Sequence, residues 1–227
     1  GRRTTWVENY RPGLPVMERL LATCRAAAIK LAPAAEPPAN WQIEAELEWI
    51  SRGGECRQLV AWFGPLARTA GCRRATVLTK RAAPRSLVGD PYTPLPVAKE
   101  FGRYLAEPDA AVLAAGLTGA LAAEHGLAAI APGAVYLTGD QPTPDAALDW
   151  FEISAVAPFD IKRFKALLRE RGISRLEVKK RGVSLDPALV RRQLRVPGDN
   201  HATLLLARMG DQVVGILAQR IKSKTAS

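Results

Sequence analysis

The sequence predicts an α/β protein: part of a parallel sheet, followed by two smaller α/β modules. Three observations predict it. Strand-length apolar runs alternate with helical patterns through the first 80 residues, as in βαβ units. Prolines at 84, 91, 94 and 96 interrupt that alternation and mark a boundary loop over 81–100. After Phe151 the order becomes β-α-β-α-β-β, and the positive charge gathers there.

Residues 15–21 begin a helix, with Pro15 in its first turn. Residues 26–31 are an apolar run of strand length, and Pro33, Pro37 and Pro38 punctuate the segment after it. A second strand is expected over 46–50. Gly53 and Gly54 then turn the chain into a helix over 55–63, and 74–80, rich in β-branched residues, reads as a third strand. Three strands with two helices cannot cover both faces of a doubly wound sheet. The chain also opens on Gly1-Arg2-Arg3 without a methionine, so it reads as the later part of a larger protein. An incomplete sheet has an open edge, from which self-association through 1–80 is expected.

Pro108 and Asp109 open a long helix that runs to His125, with Gly126 as its stop. Val112, Leu113, Leu117 and Leu121 give its apolar stripe, and Gly116 and Gly119 suit close approach to a sheet. Residues 134–138 and 150–156 are read as strands, with a loop over 141–149. Asp160 is an N-cap for a helix that buries Ile161, Phe164, Leu167 and Leu168 and stops at Gly172. Residues 175–181 alternate as a strand, with Leu176 and Val178 on one face and Glu177, Lys179 and Arg181 on the other. Asp186-Pro187 caps a second helix through Leu194. Strands over 202–208 and 212–220 form a hairpin about Met209-Gly210-Asp211.

Hydrophobic residues make up 48% of the chain and charged residues 24%, a balance that excludes a disordered polyelectrolyte. No run reaches the roughly 18 apolar residues of a membrane span, and no signal peptide opens the chain. Cys24, Cys56 and Cys72 are scattered and odd in number, which argues against a disulfide framework or zinc site and for a reducing cytoplasm. The net charge is +10, and its placement is the informative part. Residues 160–227 hold 16 Lys and Arg against 6 Asp and Glu, whereas the rest of the chain balances. A surplus confined to one module reads as a footprint for a polyanion.

Three groups carry that surplus. Lys162, Lys165 and Arg169 recur on the helix face opposite the apolar stripe. Lys179 and Arg181 share one strand face. Arg191, Arg192 and Arg195 cluster at the second helix. All eight are the expected RNA-binding residues, and the scarcity of aromatic residues beside them favours phosphate contact over base stacking. No catalytic dyad is legible. His125 sits at a helix end and His201 in a loop, and no His/Cys/Asp cluster has metal-ligand spacing. Neither a G-x-G-x-x-G run nor a P-loop occurs. Asp90-Pro91-Tyr92 lacks the second proline of the Asp-Pro-Pro-Tyr signature of amino-group methyltransferases and reads as loop.

The stretch from Phe151 to Arg220 (FEISAVAPFDIKRFKALLRERGISRLEVKKRGVSLDPALVRRQLRVPGDNHATLLLARMGDQVVGILAQR) resembles the THUMP-like domain that closes a family of bacterial class I SAM-dependent methyltransferases. Residues 102–117, with Glu107-Pro108-Asp109, resemble the opening of the small ferredoxin-like domain before it. Residues 45–80 resemble the last strands of the methyltransferase sheet. Gly1-Arg2-Arg3-Thr4 resembles the segment just after that family's Asp-Pro-x-Arg motif. The resemblance implies three parts: the C-terminal half of a Rossmann-like methyltransferase domain over 1–85, a ferredoxin-like module over 95–150 and a basic THUMP-like module over 151–222. It also implies a cytoplasmic parent enzyme that uses SAM on RNA. The cofactor loop and catalytic motif of the family precede the residues matched here, so no catalytic residue is assigned, and neither SAM binding nor activity is expected of this chain alone. The competing expectation is a non-catalytic module that binds nucleic acid or an acidic protein partner.

Overall fold

The structure is a computed structural model that describes residues 5–80 and 83–221. Gly1–Thr4, matched above to the segment after a catalytic motif, lie outside the described residues. In chain order the first elements are α1 (Leu14–Thr23), β1 (Ala27–Leu31), α2 (Trp41–Glu44), β2 (Ala45–Arg52), β3 (Glu55–Phe63), β4 (Arg73–Leu78) and β5 (Arg85–Gly89). Next come β6 (Tyr104–Pro108), α3 (Ala110–Ala115), α4 (Thr118–His125), β7 (Ala128–Ala129), β8 (Leu137–Gly139) and β9 (Leu148–Pro158). The last are α5 (Ile161–Glu170), β10 (Ile173–Arg181), α6 (Pro187–Gln193), β11 (Asn200–Met209) and β12 (Gln212–Arg220).

The chain divides into two units. The first holds 1–95, 109–124 and 145–147, and the second holds 96–108, 125–144 and 148–227. This differs from the three modules expected at 1–85, 95–150 and 151–222. The physical reason is strand pairing: β6 and β8 join the same sheet as β9, so 96–108 and 125–144 group with the C-terminal sheet.

In the first unit five strands lie in the order β1-β3-β2-β4-β5. Only β2 and β4 pair in parallel, and the other three pairings are antiparallel. The expected helix over 55–63 is strand β3, which corrects the parallel reading. Gly53 and Gly54 have φ of 64° and 78°, the left-handed pair that closes a two-residue hairpin, so β3 folds straight back on β2. Residues 81–100, expected as loop alone, also contain β5, which pairs with β4. Leu47, Trp49 and Ala75 are buried on one face, where α3 packs against β2, β3 and β4.

The long helix expected from Pro108 to His125 is two helices. Asp109 caps α3 by accepting from the Ala111 N–H at 2.8 Å. Gly116 then takes φ 71° and ends it, before α4 starts at Thr118. Gly119 does give the close approach its composition suggested, but to a loop: a Cβ there would lie 2.1 Å from the Thr93 carbonyl oxygen.

The second unit is a seven-stranded sheet in the order β10-β11-β12-β9-β6-β8-β7. From β9 onward the sequence reading holds, and Asp160 and Asp186 cap α5 and α6 as expected; β6 and β7 were not read as strands, and the strand expected over 134–138 is β8. The β10–β11 pair is parallel, with α6 in the crossover. One face packs Phe164, Leu168, Val190 and Leu194 of the helices on Leu176, Ala202, Leu204 and Leu206. The other buries Tyr136, Phe151, Leu205 and Ile216 together. Strand β10 therefore has one face under helices and its alternate residues on the Tyr136 side.

Candidate nucleic-acid interface

The basic residues of this unit divide into three groups with different surroundings. On α5, Phe164 and Leu168 are buried, while Lys162 and Arg169 are exposed and Lys165 is half-buried. None of these three cations has an ion-pair or hydrogen-bond partner for its side chain among the described residues. The helix thus presents one cationic face, as the spacing predicted.

Lys179 and Arg181 share a strand face, but that face is not an open one. Both point to Glu107 of β6, which is 5% exposed. Arg181 donates to Glu107 Oε1 from Nη2 at 3.0 Å and Nε at 3.2 Å, and Lys179 bonds Glu107 Oε2. Arg220 of β12 bonds Asp149 at 2.7 Å and approaches Glu177 at 3.5 Å. The Lys179 ammonium and the Arg220 guanidinium also stand over the Phe151 ring, 5.5 and 4.8 Å from its centroid. Burial alone would lower the Arg220 pKa, but the hydrogen bond and charge of Asp149, with Glu177 and Glu107 nearby, raise it. Lys179 and Arg181, expected to bind RNA, share the strand face as read but are engaged by Glu107: a buried carboxylate is costly without cations beside it, and these two are its partners.

Arg191, Arg192 and Arg195 are different again. All three are exposed, and no side-chain partner is present for them among the described residues. They line one wall of a groove of about 980 Å³ along the N-terminal half of β10. Ser174, Arg175, Glu177, His201, Thr203 and Arg220 complete its polar lining, with Glu177 the one acid, and Leu176, Leu194 and Ala202 are among its apolar residues. Arg175 is held by a 2.9 Å bond to the Asp199 carbonyl oxygen. His201, read as part of a loop, belongs to β11, pairs with Arg175 across the ladder and faces the groove. Arg191, Arg192 and Arg195 can bind several phosphate oxygens at once through planar, charge-assisted bonds, whereas Arg220 beside them is engaged by Asp149 and Glu177.

Sequence reasoning missed Arg175, Arg220 and His201 as groove residues, and Glu107 as an anchor. Their alternation was legible, but which face each strand shared with α6 depended on sheet order. Asp90-Pro91-Tyr92 is a local turn, in which Asp90 accepts from the Tyr92 N–H at 2.9 Å. Gly53-Gly54 joins two strands, with no helix N-terminus behind it, and is a hairpin turn.

Residues 148–220 match the family described as THUMP domain-like. Two uncharacterized S-adenosylmethionine-dependent methyltransferases of Mycobacterium tuberculosis, from strains CDC 1551 / Oshkosh and H37Rv, are each 32% identical over 213 residues. The chain is thus similar over most of its length to the C-terminal part of these two proteins. That match takes in 92% of the chain but only 57% of either relative, so the chain spans a little over half the length of the proteins it resembles. The crystal structure of a candidate methyltransferase from Porphyromonas gingivalis W83 superposes with a TM-score of 0.79 at 20% identity, over 96% of this chain and 57% of that one. The likeness extends the shared fold across both units. The arginine groove lies wholly within the THUMP-like domain.

Proposed function

We propose that this chain is the substrate-docking part of a cytoplasmic SAM-dependent methyltransferase that acts on RNA. The arginine groove of the THUMP-like domain meets the RNA backbone. The observation that carries this reading is the groove itself: Arg191, Arg192 and Arg195, unpaired among the described residues, stand beside Arg175 and Arg220 on one concave surface. Phosphate oxygens are the ligands that match such a surface, and they fix position without reading sequence. The α5 face, with Lys162, Lys165 and Arg169, adds a second set of cations for a longer RNA. SAM belongs to the remainder of the parent protein, and no step of methyl transfer is assigned to residues of this chain. The outer edge of β1, which pairs on one side only with β3, is where the isolated chain self-associates.

Ultraviolet crosslinking of the chain to structured RNA, followed by peptide mapping, tests the docking assignment. Crosslinks are expected on peptides from 174–203. Crosslinks confined to 5–80, or none at all in low salt, would contradict it.

A further inference from the structure

A smaller cleft lies at the other end of β10, and the RNA groove does not include it. It has a volume of about 60 Å³. The turn that contains Gly133 forms one wall, and Arg181, Gly182 and Arg208 form the other. Tyr136 also lines it, and that residue is completely buried. Its hydroxyl has no hydrogen-bond partner among the described residues. Burial pushes the phenol's pKa up, with the Glu107 carboxylate adding to the rise and Arg181 opposing it, so the hydroxyl keeps its proton and can donate it. A buried hydroxyl left without a partner costs free energy, which a bound acceptor removes.

The two arginines have spare donors. Arg181 commits Nε and Nη2 to Glu107, and Arg208 gives Nε to the Gly182 carbonyl oxygen at 3.3 Å. The remaining guanidinium nitrogens of both have no partner among the described residues. Glu107 is the carboxylate bonded here, and it is shared by two cations, Lys179 and Arg181. Glu177 also acts on the Tyr136 phenol but faces Arg220, so with Arg208 added the local balance is positive and the charge pattern attracts an anion. The small volume matches a single tetrahedral oxyanion.

We propose that this cleft binds one phosphate group, held by Arg208 and the spare nitrogen of Arg181 as cationic donors and by the Tyr136 hydroxyl as a neutral one. The site is independent of the arginine groove and does not require the RNA reading to hold. Its phosphate is either a free ion or part of an RNA chain.

The test is a calorimetric titration of the full chain with inorganic phosphate at constant ionic strength, with the neutral nucleoside uridine as control. Phosphate binding is expected, and uridine binding is not. Arg208→Ala, at an exposed position, should weaken phosphate binding by about tenfold, the usual size for a charged hydrogen-bond donor. Tyr136→Phe keeps the ring and should weaken it by a smaller factor. A parallel titration with a short RNA separates the two sources. If Arg208→Ala also weakens RNA binding, the phosphate is that of RNA; if it weakens only inorganic phosphate, the ligand is the free ion. No phosphate binding by the unaltered chain would overturn the proposal. So would equal phosphate binding by both variants, with Tyr136→Phe merely more stable, because the cleft then holds only water. Loss of this site would leave the Arg191, Arg192 and Arg195 groove untouched.

Discussion

Lys179 and Arg181 on β10, and Arg191, Arg192 and Arg195 at α6, belong to one small basic domain and look alike in sequence. Their surroundings are opposite. The first pair closes on Glu107, a carboxylate that is 5% exposed, while the arginine trio has no partner among the described residues and lines an open groove. The difference teaches that a local charge surplus overstates the charge offered to a partner. Part of it neutralises a buried acid contributed by a strand far earlier in the chain. What remains for a polyanion under the proposed reading is carried by side chains on helices and at the sheet edge.

Substitutions can break this contrast, and the largest effects belong to the buried pair. Changing Lys179 and Arg181 together to alanine leaves the buried Glu107 carboxyl without either cationic partner. Urea denaturation should show a loss of about 3–5 kcal/mol, the range for breaking a buried ion pair. Glu107→Gln should cost less, roughly 2 kcal/mol, because Lys179 and Arg181 are partly exposed and can turn toward water. Equal stability of either variant and the unaltered chain would mean that the network is not a structural tie. By contrast, the triple change Arg191→Ala, Arg192→Ala and Arg195→Ala should shift stability by less than about 0.5 kcal/mol, as for surface sites. The smallest effect concerns the other unit. Ala28→Lys places a charge on the outer strand β1, and light scattering should show less self-association with no change in the melting curve. Unaltered scattering would move the contact away from that edge.

Much of the second unit could be read from sequence. Asp160 and Asp186 announced α5 and α6, the alternation of 175–181 announced β10, and Met209-Gly210-Asp211 announced the hairpin. These are local signals. The first unit was harder, because Glu55–Phe63 is a nine-residue run with several good helix formers, and the decision lay in the two glycines before it. Gly116 was read as a packing glycine within a helix, when its left-handed φ ends one. The site was half legible for a related reason. The arginine trio is clustered in sequence, but Arg175, His201 and Arg220 come together only through the β10-β11-β12 order. Glu107 lies 72 residues from Lys179, beyond any spacing rule.

The central claim is that the arginine trio, and not Lys179 and Arg181, carries the phosphate contacts. A salt titration of RNA affinity tests it most directly, comparing the unaltered chain with the triple alanine variant, with circular dichroism to check folding. Each lost phosphate contact should flatten the slope of log affinity against log salt by about 0.7–0.9, so the variant should lose about 2–3 in slope while remaining folded. A folded triple variant with an unchanged slope would contradict the claim.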